Sequence, residues 1–203
     1  MPPRIAAMTS TTDHTTDHTT DHTTHLDALV EGFLDRAARL TTVVEAGGTW
    51  DGASPCAGWP ATDVLDHVID RQREFLRLQG VDVGPAPTGA PAERWAAHLD
   101  AVHGVLADRA LAGREYDGHF GRTTIAATMA TFYGFDLIAH RWDLARALGR
   151  DERWSEAELD ALERGRDGFG VAFYAEGVSK PALPVPEGAD RQTALLARMG
   201  RRA

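Results

Sequence analysis

The sequence predicts an all-α fold, an antiparallel four-helix bundle with a short fifth helix and a proline-rich C-terminal strap. Apolar residues recur with a period near 3.6 in four long segments. Loops of moderate length that contain glycine and proline separate these segments, and no segment alternates apolar and polar residues as a strand would. Four helices joined in this way typically pack as an antiparallel bundle.

The first two helices are predicted from apolar stripes. The first begins at Leu26, after the leader, and ends at Gly47-Gly48, because glycine pairs stop helices. A loop with two tryptophans and several Gly and Pro residues follows, and the second helix covers about 62–79. The inward stripe of the second helix consists of Val64, Leu65, Val68, Ile69, Phe75 and Leu76.

The third helix begins after a Gly/Pro loop at 80–90, where Pro91 suits a first helical turn. A polar loop at 113–121 precedes the fourth helix, which is predicted over 123–148 and ends at Gly149. Ser155 and Glu158 have the spacing of a capping box and start a shorter fifth helix. Residues 180–203 form the strap, with one last helical turn before Gly200.

Residues 9–25 form a low-complexity leader in which Thr-Thr-Asp-His occurs three times. If the leader were helical, His14, His18 and His22 would share one face and could collect metal ions. We favour a solvated, disordered leader, because Thr and Asp are poor helix formers and no apolar residue accompanies them. The domain organisation is therefore a leader at 1–25 and a helical bundle at 26–203.

Composition limits the classes of function. The chain has 30 acidic and 21 basic residues, a net charge of −9, which argues against nucleic acid and anionic membranes as partners. The N-terminus lacks the apolar region of a signal peptide, and Cys56 is the only cysteine, so we expect a cytoplasmic protein without disulfides. Lys180 is the only lysine, which we interpret as compositional bias.

The fourth helix carries the residues of chemical interest. With 3.6 residues per turn, His140 and Asp143 lie within about 40 degrees of Asp136 on a face that is otherwise apolar. Buried charges are costly unless they are paired or bind a metal ion. Asp136 and His140 could supply two metal ligands, and a hydrogen-bonded Asp–His pair inside the bundle explains the pattern equally well.

A third ligand would have to come from a neighbouring helix, and His67 is the candidate. From the pattern alone His67 belongs to a solvated flank of the second helix. On the third helix, His103 is expected at the edge of the core, whereas His98 is expected to point away from it. His119 lies in a glycine-flanked loop and could approach the site or remain exposed.

Three separated motifs resemble the DinB/YfiT-like metal-binding bundles, in particular the branch named for mycothiol-dependent maleylpyruvate isomerase. The first runs from Ser54 through Trp59 to the segment Val64-Leu65-Asp66-His67-Val68, and the second is the segment from Asp136 to Gly149. The third is the C-terminal strap, with Pro184-Val185-Pro186 and the segment from Leu195 to Arg201. Together they cover about 26–202.

The resemblance implies a divalent metal ion held by His67, Asp136 and His140. Zinc is the usual ion, with nickel, iron and manganese as other candidates. The isomerase has glutamate at the acidic position, where this chain has the shorter Asp136, and it has a further C-terminal domain that the strap does not match. Three protein ligands leave a coordination position open, as in catalytic zinc sites.

The family uses low-molecular-weight thiols, so the resemblance implies a thiol-dependent transferase or isomerase that acts on a small electrophile. Asp143 would orient an imidazole or pair with an arginine, and a buried salt bridge is its alternative role. Trp59 and Tyr133 would wall the pocket, with aromatic core packing as the alternative, and Arg201 would reach it. Cys56 is expected to pack in its loop, because nothing basic adjoins it in sequence.

Two rival functions remain at this point. In a zinc-water hydrolase no thiol would be needed, and Asp143 or His119 would act as general base. Alternatively, the chain is a non-catalytic metal-binding or stress-related module whose bundle mainly dimerises. The family-level expectation for the assembly is a homodimer.

Overall fold

The computed structural model describes residues 15–56, 58–175 and 178–203, and their side chains from residue 23 onward. The protein is mostly helical and has one small two-stranded sheet. It also contains a π-helical turn at Met129–Tyr133 and a 3₁₀ turn at Gly170–Tyr174. The helices and strands are α1 (Thr15–Glu45), α2 (Ala61–Leu78), α3 (Pro91–Ala107), α4 (Arg109–Ala112), β1 (Glu115–Gly118), β2 (Gly121–Thr124), α5 (Ile125–Thr128), α6 (Gly134–Ala147), α7 (Glu156–Phe169) and α8 (Arg191–Arg198).

The predicted helices at 26–47, 62–79 and 91 onward correspond to α1, α2 and α3. Pro91 occupies the first turn of α3, as predicted from its fixed φ angle. The backbone of α1 is helical from Thr15, which lies eleven residues before the predicted start at Leu26. Most of the Thr-Asp-His leader lies outside the described residues, and so do the side chains of its helical part.

Helix α6 lies at the centre of the molecule. Ten of its fourteen residues are buried, and it contacts α1, α2 and α7. One side, which includes Leu137 and Leu144, packs into the larger hydrophobic cluster with α1, α2 and α3. The opposite side, which includes Ile138 and Trp142, packs into a second cluster with α7 and α8. Side chains of α6 are therefore held from both directions.

The capping box predicted at Ser155 is confirmed. Ser155 Oγ accepts a hydrogen bond from the Glu158 backbone N–H, and the Glu158 carboxylate accepts one from the Ser155 backbone N–H. The same carboxylate takes two hydrogen bonds from the buried Arg141 guanidinium of α6, at 2.5 and 3.1 Å. One residue thus both starts α7 and fastens it to α6.

The prediction of a polar loop at 113–121 is wrong, because most of this region belongs to an antiparallel hairpin. Glu115 pairs with Thr124 and Gly118 with Gly121 across the two strands. Each strand has only four residues, and their side chains are exposed or half-buried. No apolar alternation therefore marked them in the sequence.

The predicted continuous helix at 123–148 is interrupted by the π turn. A π turn inserts one residue into the helical repeat and leaves backbone groups without their usual partners. The Arg36 guanidinium of α1 donates a hydrogen bond to the Ala130 carbonyl oxygen within this turn. Gly134 leaves room for that guanidinium, since a Cβ there would clash with Arg36 Nη1.

The C-terminal strap is anchored on α8, which has eight residues where a single turn was predicted. The Leu183 backbone N–H donates to the Ala197 carbonyl at 2.8 Å, and Ser179 Oγ donates to the Met199 carbonyl at 3.3 Å. Across the described residues, no helix combines the length and the apolar character that crossing a bilayer requires.

The expectations for the histidines of α3 are reversed. His98 is fully buried, with its Nε2 atom 3.0 Å from Gln72 Oε1 of α2, whereas His103 is exposed. Burial, with a smaller effect of the Arg73 charge, lowers the pKa of His98 to about 3. The ring is therefore neutral in the folded protein at neutral pH.

We predict that His98 makes the protein less stable as the pH falls. An unfolded histidine has a pKa of about 6.5 and binds a proton at pH values where the folded His98 stays neutral. The free energy of unfolding therefore falls between about pH 6.5 and 3. The slope from this residue should reach about 1.4 kcal/mol per pH unit. Urea unfolding at a series of pH values should show a flatter profile for His98→Gln than for the wild type.

His103→Gln is the matched control, since His103 lies on the same helix and is exposed. Its profile should coincide with that of the wild type. Equal pH dependence for His98→Gln and His103→Gln would contradict the assignment.

Candidate metal centre

Three side chains from two helices meet around one carboxylate. Asp136 of α6 has Oδ1 3.2 Å from His140 Nε2 and Oδ2 3.6 Å from His67 Nε2 of α2. The two imidazole centroids are 5.0 Å apart. The structure therefore brings together the three residues that the resemblance indicated, with His67 on the inner side of α2 and not on a solvated flank.

These donors fit a divalent metal ion. One ligand atom from each of His67, Asp136 and His140 lies within 4.8 Å of the others. Ligands at zinc distances in a tetrahedral arrangement are about 3.3–3.5 Å apart, close to the two separations to Asp136. Side-chain exposures of 25%, 21% and 9% for His67, Asp136 and His140 leave the group open to a small molecule.

Asp143 lies behind His140 and is completely buried. His140 Nδ1 is 3.0 Å from Asp143 Oδ2. The Arg201 guanidinium donates two hydrogen bonds to the same carboxylate, from Nε to Oδ1 at 2.8 Å and from Nη2 to Oδ2 at 2.7 Å. Both alternatives for Asp143, orientation of an imidazole and a buried salt bridge, describe its contacts.

The electrostatics of the site follow from these contacts. Burial opposes ionisation of Asp143, but the charge of Arg201 and hydrogen bonds from His140 and Arg201 lower its pKa. Burial likewise opposes ionisation of Asp136, but the nearby imidazoles of His140 and His67 lower its pKa. Burial disfavours a charged His140, yet Asp136 and Asp143 raise its pKa well above the ordinary value. A metal ion at His140 Nε2 would therefore compete with a proton.

A second group of possible ligands, Cys56, His140 and Asp143, suits a metal ion less well. Cys56 Sγ is 3.4 Å from Asp143 Oδ2, but Asp143 already binds the Arg201 cation through both oxygens. A divalent cation would have to displace or repel this guanidinium. We therefore assign Asp143 to the support of His140 rather than to metal ligation.

A tight loop between α1 and α2 positions Cys56 and Trp59. The Ser54 backbone N–H donates to the Trp59 carbonyl at 2.9 Å, and the Trp59 N–H donates to the Cys56 carbonyl at 3.0 Å. The loop packs closely on the end of α6, because a Cβ on Gly52 would lie 2.7 Å from the Ala147 carbonyl oxygen. The Trp59 ring consequently lies 4.9 Å from the His67 ring.

The three candidate ligands open into a cavity of about 350 Å³, called the site cavity below. Most of its wall is apolar and aromatic, with Lys180 and Arg201 as the basic residues of its lining. Positions 132, 135, 136, 139 and 140 share one helical face and line it together. The aromatic lining residues are Trp59, Phe132, Phe135, Phe169 and Phe173.

The structure places some of the other predicted site residues at the cavity and others away from it. Trp59 and Arg201 line the cavity, as expected. Tyr133 is buried and packs against Phe75 at 5.2 Å, so it belongs to the core and not to the cavity wall. His119 lies in the turn of the hairpin with its ring 4.8 Å from Phe120, and it does not line the cavity.

Several cavity residues were missed or undervalued. Cys56 lines the cavity although we expected it to pack in its loop, and Lys180, Phe169 and Phe173 were not singled out for the site. Cys56 lies within the motif from Ser54 to Trp59, but that motif does not indicate which of its side chains face the cavity, and no quoted motif includes Phe169 or Phe173. Only tertiary packing brings the 54–60 loop and the strap to α6.

Comparisons with protein-family models, with curated proteins and with solved structures found no match to this chain. The family resemblance of the motifs therefore stays a proposal.

We predict that Arg201→Met lowers the free energy of unfolding by about 3 kcal/mol, because it leaves a buried carboxylate without its main cation. Urea unfolding at neutral pH measures this change. The double variant Arg201→Met/Asp143→Asn should recover part of the loss, since the amide removes the unpaired charge.

Arg122→Met is the control, because Arg122 pairs with Glu115 on the exposed hairpin. It should leave the unfolding midpoint unchanged. If Arg201→Met behaves like Arg122→Met, the Asp143–Arg201 pair does not stabilise the site.

Proposed function

We propose that the protein is a divalent-metal-dependent transferase or isomerase that uses a low-molecular-weight thiol against a small electrophile. The observation that carries the proposal is the position of His67, Asp136 and His140 at the wall of an apolar cavity with part of each side chain accessible. Three protein donors leave an open position for a guest, as in catalytic zinc sites.

The proposed architecture is a DinB/YfiT-like antiparallel four-helix bundle. The contacts among the long helices support it, since α1 packs on α6 and α3, and α2 packs on the same two helices. This pattern closes a ring of four helices, with α7 and α8 added on the outer side of α6. The two proposed ligand-bearing helices, α2 and α6, are neighbours in that ring.

His67, Asp136 and His140 would hold the ion. A mixed set of imidazole and carboxylate donors suits zinc best, while nickel, iron and manganese also accept it. When bound, the ion would lower the pKa of a thiol or water and so supply a nucleophile at neutral pH. This chemistry needs no further charge from the cavity wall.

The protein's own residues orient the ligands. The Asp143 carboxylate accepts a hydrogen bond from His140 Nδ1–H, which leaves the Nε2 lone pair for the ion. Arg201 fixes Asp143 from the other side and so holds the imidazole ring in one orientation. Trp59 packs beside His67 and limits its rotation. Asp143 is in this sense a positioning residue.

The apolar wall favours an electrophile with an apolar body. Phe132, Phe135 and Phe169 offer rings to a small substrate and exclude water from the reacting end. The thiol cosubstrate would enter the same cavity from solvent. A homodimer remains part of this proposal as a family-level expectation.

The rival functions have less support. A zinc-water hydrolase would need a general base at the cavity, yet Asp143 is buried and bound by Arg201, and His119 lies outside the lining. A purely structural metal module would close its coordination sphere with protein ligands, whereas these three donors face a cavity of about 350 Å³.

The first test is metal content. Full-length protein whose leader histidines (His14, His18, His22 and His25) are changed to Gln should bind about one equivalent of zinc after removal of chelator. Adding His67→Ala or His140→Ala should abolish binding, while His103→Ala should not, because His103 is an exposed histidine far from the donors in sequence. Elemental analysis after dialysis gives the stoichiometry. Equal metal content in all variants would rule out the proposed ligand set.

The second test is thiol-dependent turnover. The zinc-loaded protein should consume small electrophiles faster in the presence of a low-molecular-weight thiol than in its absence, and His67→Ala should remove this difference. For Asp143→Asn we expect a folded protein with a rate reduced about 10- to 100-fold, because the positioning of His140 is impaired. Chromatography of the electrophile and its products measures both rates. Turnover that is independent of thiol would support the hydrolase instead.

A further inference from the structure

A second cavity adjoins the site cavity beneath the C-terminal strap. It measures about 480 Å³, and Arg146, Lys180 and Arg202 belong to its lining, so we call it the cationic cavity. None of its eight lining residues is acidic, although the chain as a whole has 30 acidic and 21 basic residues. The concentration of positive charge is therefore local.

The charges of the cationic cavity are largely free. Among the residues that the structure describes, Lys180 and Arg202 take part in no ion pair. Arg146 contacts Asp151 at 2.8 Å, but the Asp151 side chain is 95% exposed. Exposed pairs of this kind are weak, so another anion can compete for the guanidinium.

Hydrogen bonds of its neighbours hold the chain in place around Lys180, at the junction of the two cavities. Ser179 and Leu183, on either side of it, hydrogen-bond to the end of α8. Gly200 has a φ angle of +74°, and a Cβ there would lie only 2.6 Å from Lys180 Cβ. The strap therefore packs directly on this glycine, and Lys180 extends from a fixed base.

We propose that the cationic cavity binds an oxyanion, a carboxylate or phosphate group, of the same small molecule whose reacting end occupies the site cavity. The two cavities share Pro55, Lys180 and Gly200, so one ligand can reach from one into the other. Guanidinium groups pair with carboxylate and phosphate oxygens in a fork, and the lysine adds a point charge. The link to a reacting end rests on the proposed function, whereas anion binding does not.

This site can be probed directly because Lys180 is the only lysine of the chain. In the full-length protein, acylation by an amine-reactive reagent marks Lys180 and the N-terminal amine, which peptide mass spectrometry separates. Succinate or inorganic phosphate, added at constant ionic strength, should slow the acylation of Lys180. The rate should fall about tenfold when the anion concentration is roughly ten times the dissociation constant of that anion. The N-terminal amine should react at an unchanged rate.

Substitutions identify the partners of Lys180. Arg202→Met and Arg146→Met should each weaken protection about threefold, since each removes one of three charges. Arg39→Met, an exposed arginine that lines neither cavity, should protect like the wild type. Protection by succinate alone assigns a carboxylate, and protection by phosphate alone assigns a phosphate. Protection by neither anion, or equal protection in Arg202→Met and the wild type, overturns the site.

A second measurement separates this inference from the proposed function. His67→Ala should lose thiol-dependent turnover and keep the protection of Lys180 by the anion. In the zinc-loaded wild type, mercaptosuccinate should reach half-maximal turnover at a lower concentration than 2-mercaptoethanol does. Lys180→Met should remove that difference between the two thiols. If the anion protects Lys180 but no metal-dependent turnover is found, the anion site stands and the proposed thiol-dependent enzyme is rejected. If turnover is found without a preference for mercaptosuccinate and without protection of Lys180, only the anion site is rejected.

Discussion

The Asp143 side chain is wholly removed from solvent and contacts both an imidazole and a guanidinium. Its negative charge is tolerated only because Arg201, near the end of the chain, supplies the compensating charge. The C-terminal strap is thus more than a covering segment, since it delivers the cation that allows a carboxylate to stand behind His140. Through His140 the same arrangement determines where Asp136 and His67 would share the proposed metal ion.

Parts of the fold follow from local sequence rules. The stripe from Val64 to Leu76 and the position of Pro91 predict α2 and α3 closely, because amphipathic spacing and the fixed φ of proline act within a few residues. The hairpin and the π turn could not be predicted in the same way. The hairpin has no apolar alternation, and the apolar residues of the π turn are spaced like those of a regular helix. The π turn also receives a hydrogen bond from another helix, that of Arg36 to the Ala130 carbonyl.

The residues of the site likewise divide into those that local sequence rules predict and those that tertiary packing brings to the cavity. Asp136, His140 and Asp143 are predicted to share a helical face because they lie within two turns. His67 was doubtful from its own helix and gained weight only from the resemblance of its motif. Cys56 and Lys180 reach the cavity through loops, whose path depends on packing against α6 and α8. The histidines of α3 show the limit of a stripe argument, since His98 is buried by α2 from a side that the apolar residues of α3 do not mark.

The π turn at Met129–Tyr133 separates two tasks within what would otherwise be one helix. Before it, Ile125 and Ala126 fill the core, and after it Asp136 and His140 face the cavity. One residue turns an α-helix by about 100 degrees, so the number of residues between these two pairs matters as much as their identity. Loss of a single residue here would restore a regular helix and rotate one half relative to the other, so that core packing and the alignment of the proposed metal ligands could no longer both be satisfied.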